Sequence, residues 1–198
     1  MSEIATTHPD AEALVSHLGA AVTKVKEFRG DTFVCLDRTR IPDAIGFLKD
    51  KCGYDYFVEC LGADYLTWRH ERDLPHRFEV IYNLMNSTTA RRLFLKVGAN
   101  EGESVPSVVH IFLGAEYPER EVQDLFGIRF EGNEEIPGTR FLLPDDWIGY
   151  PLRKDVGLGG EDVVFDANTK GPAVEDLQVP HAGESWEGKT GTEEVSGR

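Results

Sequence analysis

A chain of 198 residues suits one domain of ordinary size, or one domain with an extension, and its 40% hydrophobic content is enough to bury a core. A net charge of −14 excludes free DNA or RNA, because affinity for nucleic acid rests on Lys and Arg neutralising phosphates; it also makes anionic lipid a poor partner and favours a basic protein surface. No apolar run approaches the roughly 20 residues that span a bilayer, and the polar, acidic opening "MSEIATTHPD" has neither part of a secretory signal, so the expectation is a chain that is cytosolic or peripheral to a membrane.

His8 to Ala21 reads as a helix, with Pro9 in its first turn and Leu14, Val15 and Leu18 forming an apolar stripe. "VTKVKEF" and "DTFVCLD" alternate and flank "RG", the pattern of a hairpin or of two neighbouring strands. "IPDAIGFLKDKCG" is a second helix, with Pro42 near its start and Gly53 as its stop. Three strands follow, at about Tyr56–Thr67, Arg77–Met85 and Arg91–Val97. In the second, Phe78, Val80, Tyr82 and Leu84 share one face. "SVVHIFLGAEYPEREVQDLFG" reads as helical in two pieces, broken near Gly114 to Pro118. The expected class is α+β, with helices packed on a mainly antiparallel sheet in the order α-β-β-α-β-β-β-α.

After Gly127 the texture changes to glycine, proline and acids. From Asp155 to Arg198 there are ten acids and three bases, a net −7, with Phe165 and Trp186 as the only aromatics. Such a segment cannot bury enough apolar surface to fold alone. The chain therefore divides into a core domain at 1–130, an irregular docking segment at 131–155 and an acidic, Gly-rich extended tail at 156–198. Cys35, Cys52 and Cys60 are odd in number and form no C-x-x-C pair. They read as buried or half-buried thiols and not as a disulfide framework or a cluster site.

Glu119, Glu121 and Asp124 crowd with Arg120 into six residues. With Pro118 starting a helix and Gly127 ending it, the first two acids fall in the first turn, where the macrodipole favours negative charge. Val122, Leu125 and Phe126 make its apolar face. The plainest reading is therefore a helix start with a solvated acidic face, and an exposed, weak Arg120–Asp124 pair. An acid–base pair would need the carboxylates in unlike environments, and a metal site would need converging ligands; neither is visible in the sequence. The other reading is a docking surface. "LLPDDWIGYPLRKD", from Leu142 to Asp155, supports it with a proline-punctuated segment holding Trp147, Arg153 and Lys154.

These two stretches resemble the signature of the C subunit of NADH–quinone oxidoreductase, respiratory complex I. E-R-E-x-x-D-L-F-G-I falls on Glu119, Arg120, Glu121, Asp124, Leu125, Phe126, Gly127 and Ile128. W-x-G-x-P-L-R-K-D falls on Trp147, Gly149, Pro151, Leu152, Arg153, Lys154 and Asp155. The chain departs from the pattern at Tyr117, where the family usually has Trp, at Asn133 and Glu134 in place of His-Pro, and at Tyr150 in place of His. The resemblance implies a non-catalytic assembly subunit of the hydrophilic arm, on the cytoplasmic side of a bacterial inner membrane. It implies packing chiefly against the large quinone-pocket subunit, and no cofactor, metal or catalytic residue in this chain. FMN and iron–sulfur clusters would lie in partner subunits, with NADH and quinone as substrates of the complex. The interface residues expected on this basis are Glu119, Arg120, Glu121, Asp124, Trp147, Pro151, Arg153, Lys154 and Asp155. Two further readings stand beside it: the equivalent subunit of a related membrane-bound hydrogenase or other-donor quinone reductase, and a free-standing carboxylate-dependent hydrolase.

Overall fold

The computed structural model describes residues 6–133 and 140–156. Helix α1 spans Pro9–Leu18, with the His8 ring nitrogen accepting from the Ala11 amide and Pro9 in the first turn. Strands β1 (Val22–Phe28) and β2 (Asp31–Leu36) pair antiparallel. Arg29 and Gly30 between them have φ of 54° and 91°, the positive values that match a two-residue turn to the strand twist. Helix α2 follows at Ile41–Cys52 and ends on Gly53 in the left-handed conformation. Strands β3 (Tyr56–Asp64), β4 (Phe78–Asn86) and β5 (Arg91–Ala99) complete a five-stranded sheet of order β1-β2-β5-β4-β3, in which only β2 and β5 run parallel. Short strands β6 (Ser104–Pro106) and β7 (Arg129–Glu131) form a separate parallel pair, with helix α3 (Glu116–Phe126) between them in the chain.

The architecture is α+β, as expected. Ala11, Leu14 and Leu18 of α1, Ile41, Ile45 and Leu48 of α2, and Val122 and Phe126 of α3 all bury against one face of the sheet. That face carries Phe78, Val80, Tyr82 and Leu84 from β4 and Leu93, Leu95 and Val97 from β5. Gly62 in β3 lets α3 come close. A Cβ there would stand 2.7 Å from the Phe126 ring, too near for any other residue without displacing the helix.

Several boundaries differ from the sequence reading. The first helix stops at Leu18, and Gly19–Ala21 make a 3-10 turn. The third strand stops at Asp64, not near Thr67. Ser107–Phe112 is not helical. Its helix-like spacing is overruled by local bonds: the Ser107 amide donates to the Glu131 carbonyl, and the Ser107 hydroxyl accepts from the Val109 amide. The third helix begins at Glu116, so Glu116 and Glu119 occupy its first turn and Glu121 lies beyond it. The 156–198 extension, with Phe165 and Trp186, lies outside the described residues except for Val156.

Candidate docking interface

Helix α3 places its acids in very different surroundings. Glu119 is wholly buried, which corrects the expectation of a solvated acidic face. Its carboxylate accepts from the Ser107 hydroxyl at 2.6 Å, the Val108 amide at 3.0 Å and the Asn133 side-chain amide at 2.9 Å. Burial pushes its pKa above the ordinary glutamate range, against the pull of those three donors. Asn133 also donates to the Glu116 carbonyl at 3.0 Å, so the residue that departs from the family pattern ties the helix start to the chain beyond β7. Glu134 lies outside the described residues.

Asp124 is also buried. One oxygen accepts from the amides of Phe141, Leu142 and Leu143, at 3.3, 2.8 and 2.8 Å. The other takes the Arg140 guanidinium at 3.1 Å. Burial works to raise its pKa, but the amides of Leu143 and Leu142, the Arg140 charge and the Phe141 amide outweigh it and hold it below the usual range. Arg140 reaches on to the carbonyls of Trp147 and Gly149, both at 3.0 Å. One buried carboxylate and one arginine thus pin both ends of 140–149 against α3. The exposed Arg120–Asp124 pair does not form. Arg120 instead lies 4.0 Å from Glu116 and over the Phe141 ring.

The second motif closes the same strap. Arg153 donates to the Phe126 carbonyl at 2.6 Å and to Glu101 at 2.7 Å, with its guanidinium 4.4 Å from the centre of the Tyr150 ring. Gly127, at φ 75°, leaves room for this clamp: a Cβ would meet Arg153 at 2.5 Å and the Tyr150 ring at 2.6 Å. The Lys154 amide donates to Asp64 at 2.9 Å, and Asp155 pairs with Arg77 at 2.9 Å. Arg77 also grips Asp64 through two nitrogens, at 3.2 and 2.9 Å.

The predicted interface residues therefore separate. Glu119, Asp124 and Arg153 are committed to bonds within the chain, and Asp155 joins an internal pair; Pro151 is half-buried. Glu121, Trp147 and the Lys154 side chain face solvent, with Arg120 half-buried. Sequence reasoning missed Ser107, Arg140, Asp64, Arg77 and Glu101. The carboxylate-centred bonds that they make span from 12 to 90 positions, and no periodicity reports such pairings. The strap also presents Leu142, Ile148, Leu152 and Val156 to solvent beside Trp147, with Ile148 95% exposed.

Burial pushes the Cys60 thiol well up and the Cys35 thiol to about 11, so both stay protonated at neutral pH. Among the described residues, no group of three His, Cys, Asp or Glu side chains converges to hold a metal, and no helix is long and apolar enough to cross a membrane.

Residues 34–162 match the family described as respiratory-chain NADH dehydrogenase, 30 Kd subunit. The NADH-quinone oxidoreductase C subunit of Roseiflexus sp. (strain RS-1) is 42% identical over 160 residues, which cover 79% of this chain and 87% of the relative. That of Geobacter sulfurreducens is 35% identical over 150 residues, covering 75% and 88%. Among solved structures, the trypsin-resistant fragment (1-134) of Nqo5 superposes with a TM-score of 0.57 at 30% identity, over 64% of this chain and 99% of the fragment. A chain of the membrane-bound sulfane sulfur reductase, an archaeal respiratory membrane complex, superposes with a TM-score of 0.58 over 90% of this chain and 95% of its own, at 19% identity; that likeness concerns the fold alone.

Proposed function

The chain belongs to the family of the 30 Kd subunit of respiratory-chain NADH dehydrogenase, and we propose that within such a complex it works by docking, with no active site of its own. The observation that carries this reading is the strap at 140–156. Its backbone is pinned by Asp124, Asp64 and Arg153, yet it turns five large apolar side chains to water: Leu142, Trp147, Ile148, Leu152 and Val156. A rigid segment that exposes Trp and Ile loses little entropy on association, and it supplies the buried anchors from which interfaces draw most of their energy. An exposed apolar run on an otherwise acidic surface is a cost that an assembled neighbour would remove.

The neighbour is the large subunit of the peripheral arm that forms the quinone pocket. This chain binds no flavin, cluster or metal. NADH and quinone react in the other subunits, on the cytoplasmic side of the membrane. Relatives at 42% identity that are named for the NADH–quinone enzyme favour it over a related complex with another donor. The test is affinity purification of the full, tagged chain from detergent-solubilised membranes. Recovery with a stoichiometric large partner, iron–sulfur absorbance and NADH–quinone activity is expected. A chain recovered alone overturns the proposal.

A further inference from the structure

The helices cover one face of the five-stranded sheet. Among the described residues, the segment 65–77 folds back over one end of the opposite face, where Asp73 and Arg72 meet Lys24 and Glu79 on the strands. Beyond them lie the Phe33–Phe94 ring pair, stacked at 4.8 Å, with Phe28 54% and Leu61 45% exposed. A depression of about 160 Å³ opens there, lined by Lys26, Phe28, Phe33, Asp73 and Lys96.

The charge at this place is opposite to that of the chain. Lys24, Lys26 and Lys96 share Asp73, at 2.7, 3.6 and 3.9 Å; Lys96 and Arg72 share Glu79, at 2.8 and 3.0 Å. Arg29 adds a cation 5.1 Å from the Phe28 ring centre, and Glu71 is the further carboxylate acting on Lys24. Cations thus outnumber carboxylates in a chain of net charge −14. An ion network that served the fold alone would need only enough lysines to neutralise Asp73. Lys24 already does so at hydrogen-bond distance, whereas Lys26 stands farther off, at 3.6 Å; both side chains are about half exposed. A half-exposed ammonium group, only loosely paired with Asp73 at 3.6 Å, at the rim of an aromatic depression is complementary to a carboxylate side chain with an apolar neighbour.

We infer that this open sheet face, at Lys26, Phe28, Phe33 and Lys96, receives an extended segment of a neighbouring subunit that carries a carboxylate side chain next to an aliphatic or aromatic one. The surface is distinct from the strap; the inference shares with the docking proposal only the premise that the chain sits among other subunits.

The experiment places a photo-crosslinking phenylalanine derivative at Phe28 of the full chain within the purified complex, with and without Lys26→Glu. The adduct should map to a segment of another subunit with Asp or Glu within two residues of the attachment point. Its yield should fall at least about tenfold in the Lys26→Glu complex, because like charges then face each other, and should persist with Lys26→Arg. An assembled complex without an adduct overturns this inference alone. So does an adduct to lipid, to a second copy of this chain, or to a segment without carboxylates, or a yield that Lys26→Glu leaves unchanged. A chain recovered outside any complex overturns this inference and the docking proposal together.

Discussion

Replacing Asp124 with Ala should release the strap. The carboxylate accepts three backbone amides, at 2.8, 2.8 and 3.3 Å, and the Arg140 guanidinium at 3.1 Å. Hydrogen bonds to a charged group contribute about 1.5–3 kcal/mol each when their partners stay buried. Leu142 and its neighbours can turn to water, so we take about 1 kcal/mol for each amide, roughly 3 kcal/mol in all. For a domain of this size that corresponds to a fall in Tm of roughly 6–12 °C. Arg140 loses its only described carboxylate partner, although its bonds to the Trp147 and Gly149 carbonyls remain. Denaturant melts of the isolated chain measure the loss, and hydrogen exchange at the amides of Phe141, Leu142 and Leu143 locates it. The pH dependence has a definite sign. The folded pKa of Asp124 lies below the unfolded value of about 3.9, so its contribution is fully present above that value and is lost as pH falls through the folded one. Asp124→Asn should keep the shape and flatten that acid limb. A loss under about 1 kcal/mol in Asp124→Ala, with exchange at the three amides unaltered, would refute the pinning of the strap by this carboxylate.

Glu119 should behave in the opposite sense. Its folded pKa is raised, so its contribution is full below the unfolded glutamate range and is lost as pH rises through the folded value; urea melts should show that decline, and Glu119→Gln should remove it. Arg153→Glu should lower the stability of the isolated chain by roughly 2–3 kcal/mol, because the guanidinium holds the Phe126 carbonyl and Glu101 within the chain, and thermal melts of the isolated chain check this. Phe126→Ala should cost about 3–4 kcal/mol in denaturant melts, since the ring is 9% exposed and packs on Gly62.

Much of the fold was legible where local chemistry and long-range packing agree. "VTKVKEF" and "DTFVCLD" became β1 and β2 almost residue for residue, because alternation and an Arg-Gly turn specify a hairpin without help from the rest of the chain. Phe78, Val80, Tyr82 and Leu84 alternate in the sequence and all bury on the helix-covered face, although Glu79 and Asn83 on the other face are buried too. Ser107–Phe112 went wrong because apolar spacing over six residues cannot separate a helix from a turn that its own serine and Glu119 have captured. The acids of α3 went wrong for a related reason. A helical wheel reports which side a carboxylate leaves, but not that Asn133 or the amides at 141–143 will return to meet it. Motif matching found Arg153 and Asp155 as members of a pattern. Only the fold reveals that this pattern fastens a strap to the chain's own core.

The most direct test of docking against chemistry is to measure, in the same membranes, the amount of assembled complex and its NADH–quinone turnover per complex, with Trp147→Ala and Ile148→Asp in this chain. Both side chains face solvent on the pinned strap and make no described contact with Glu119 or Asp124. Docking predicts that the yield of complex falls while the turnover of each complex that does form stays at the unmodified level. A normal yield with turnover lost would contradict it and place chemistry in this subunit.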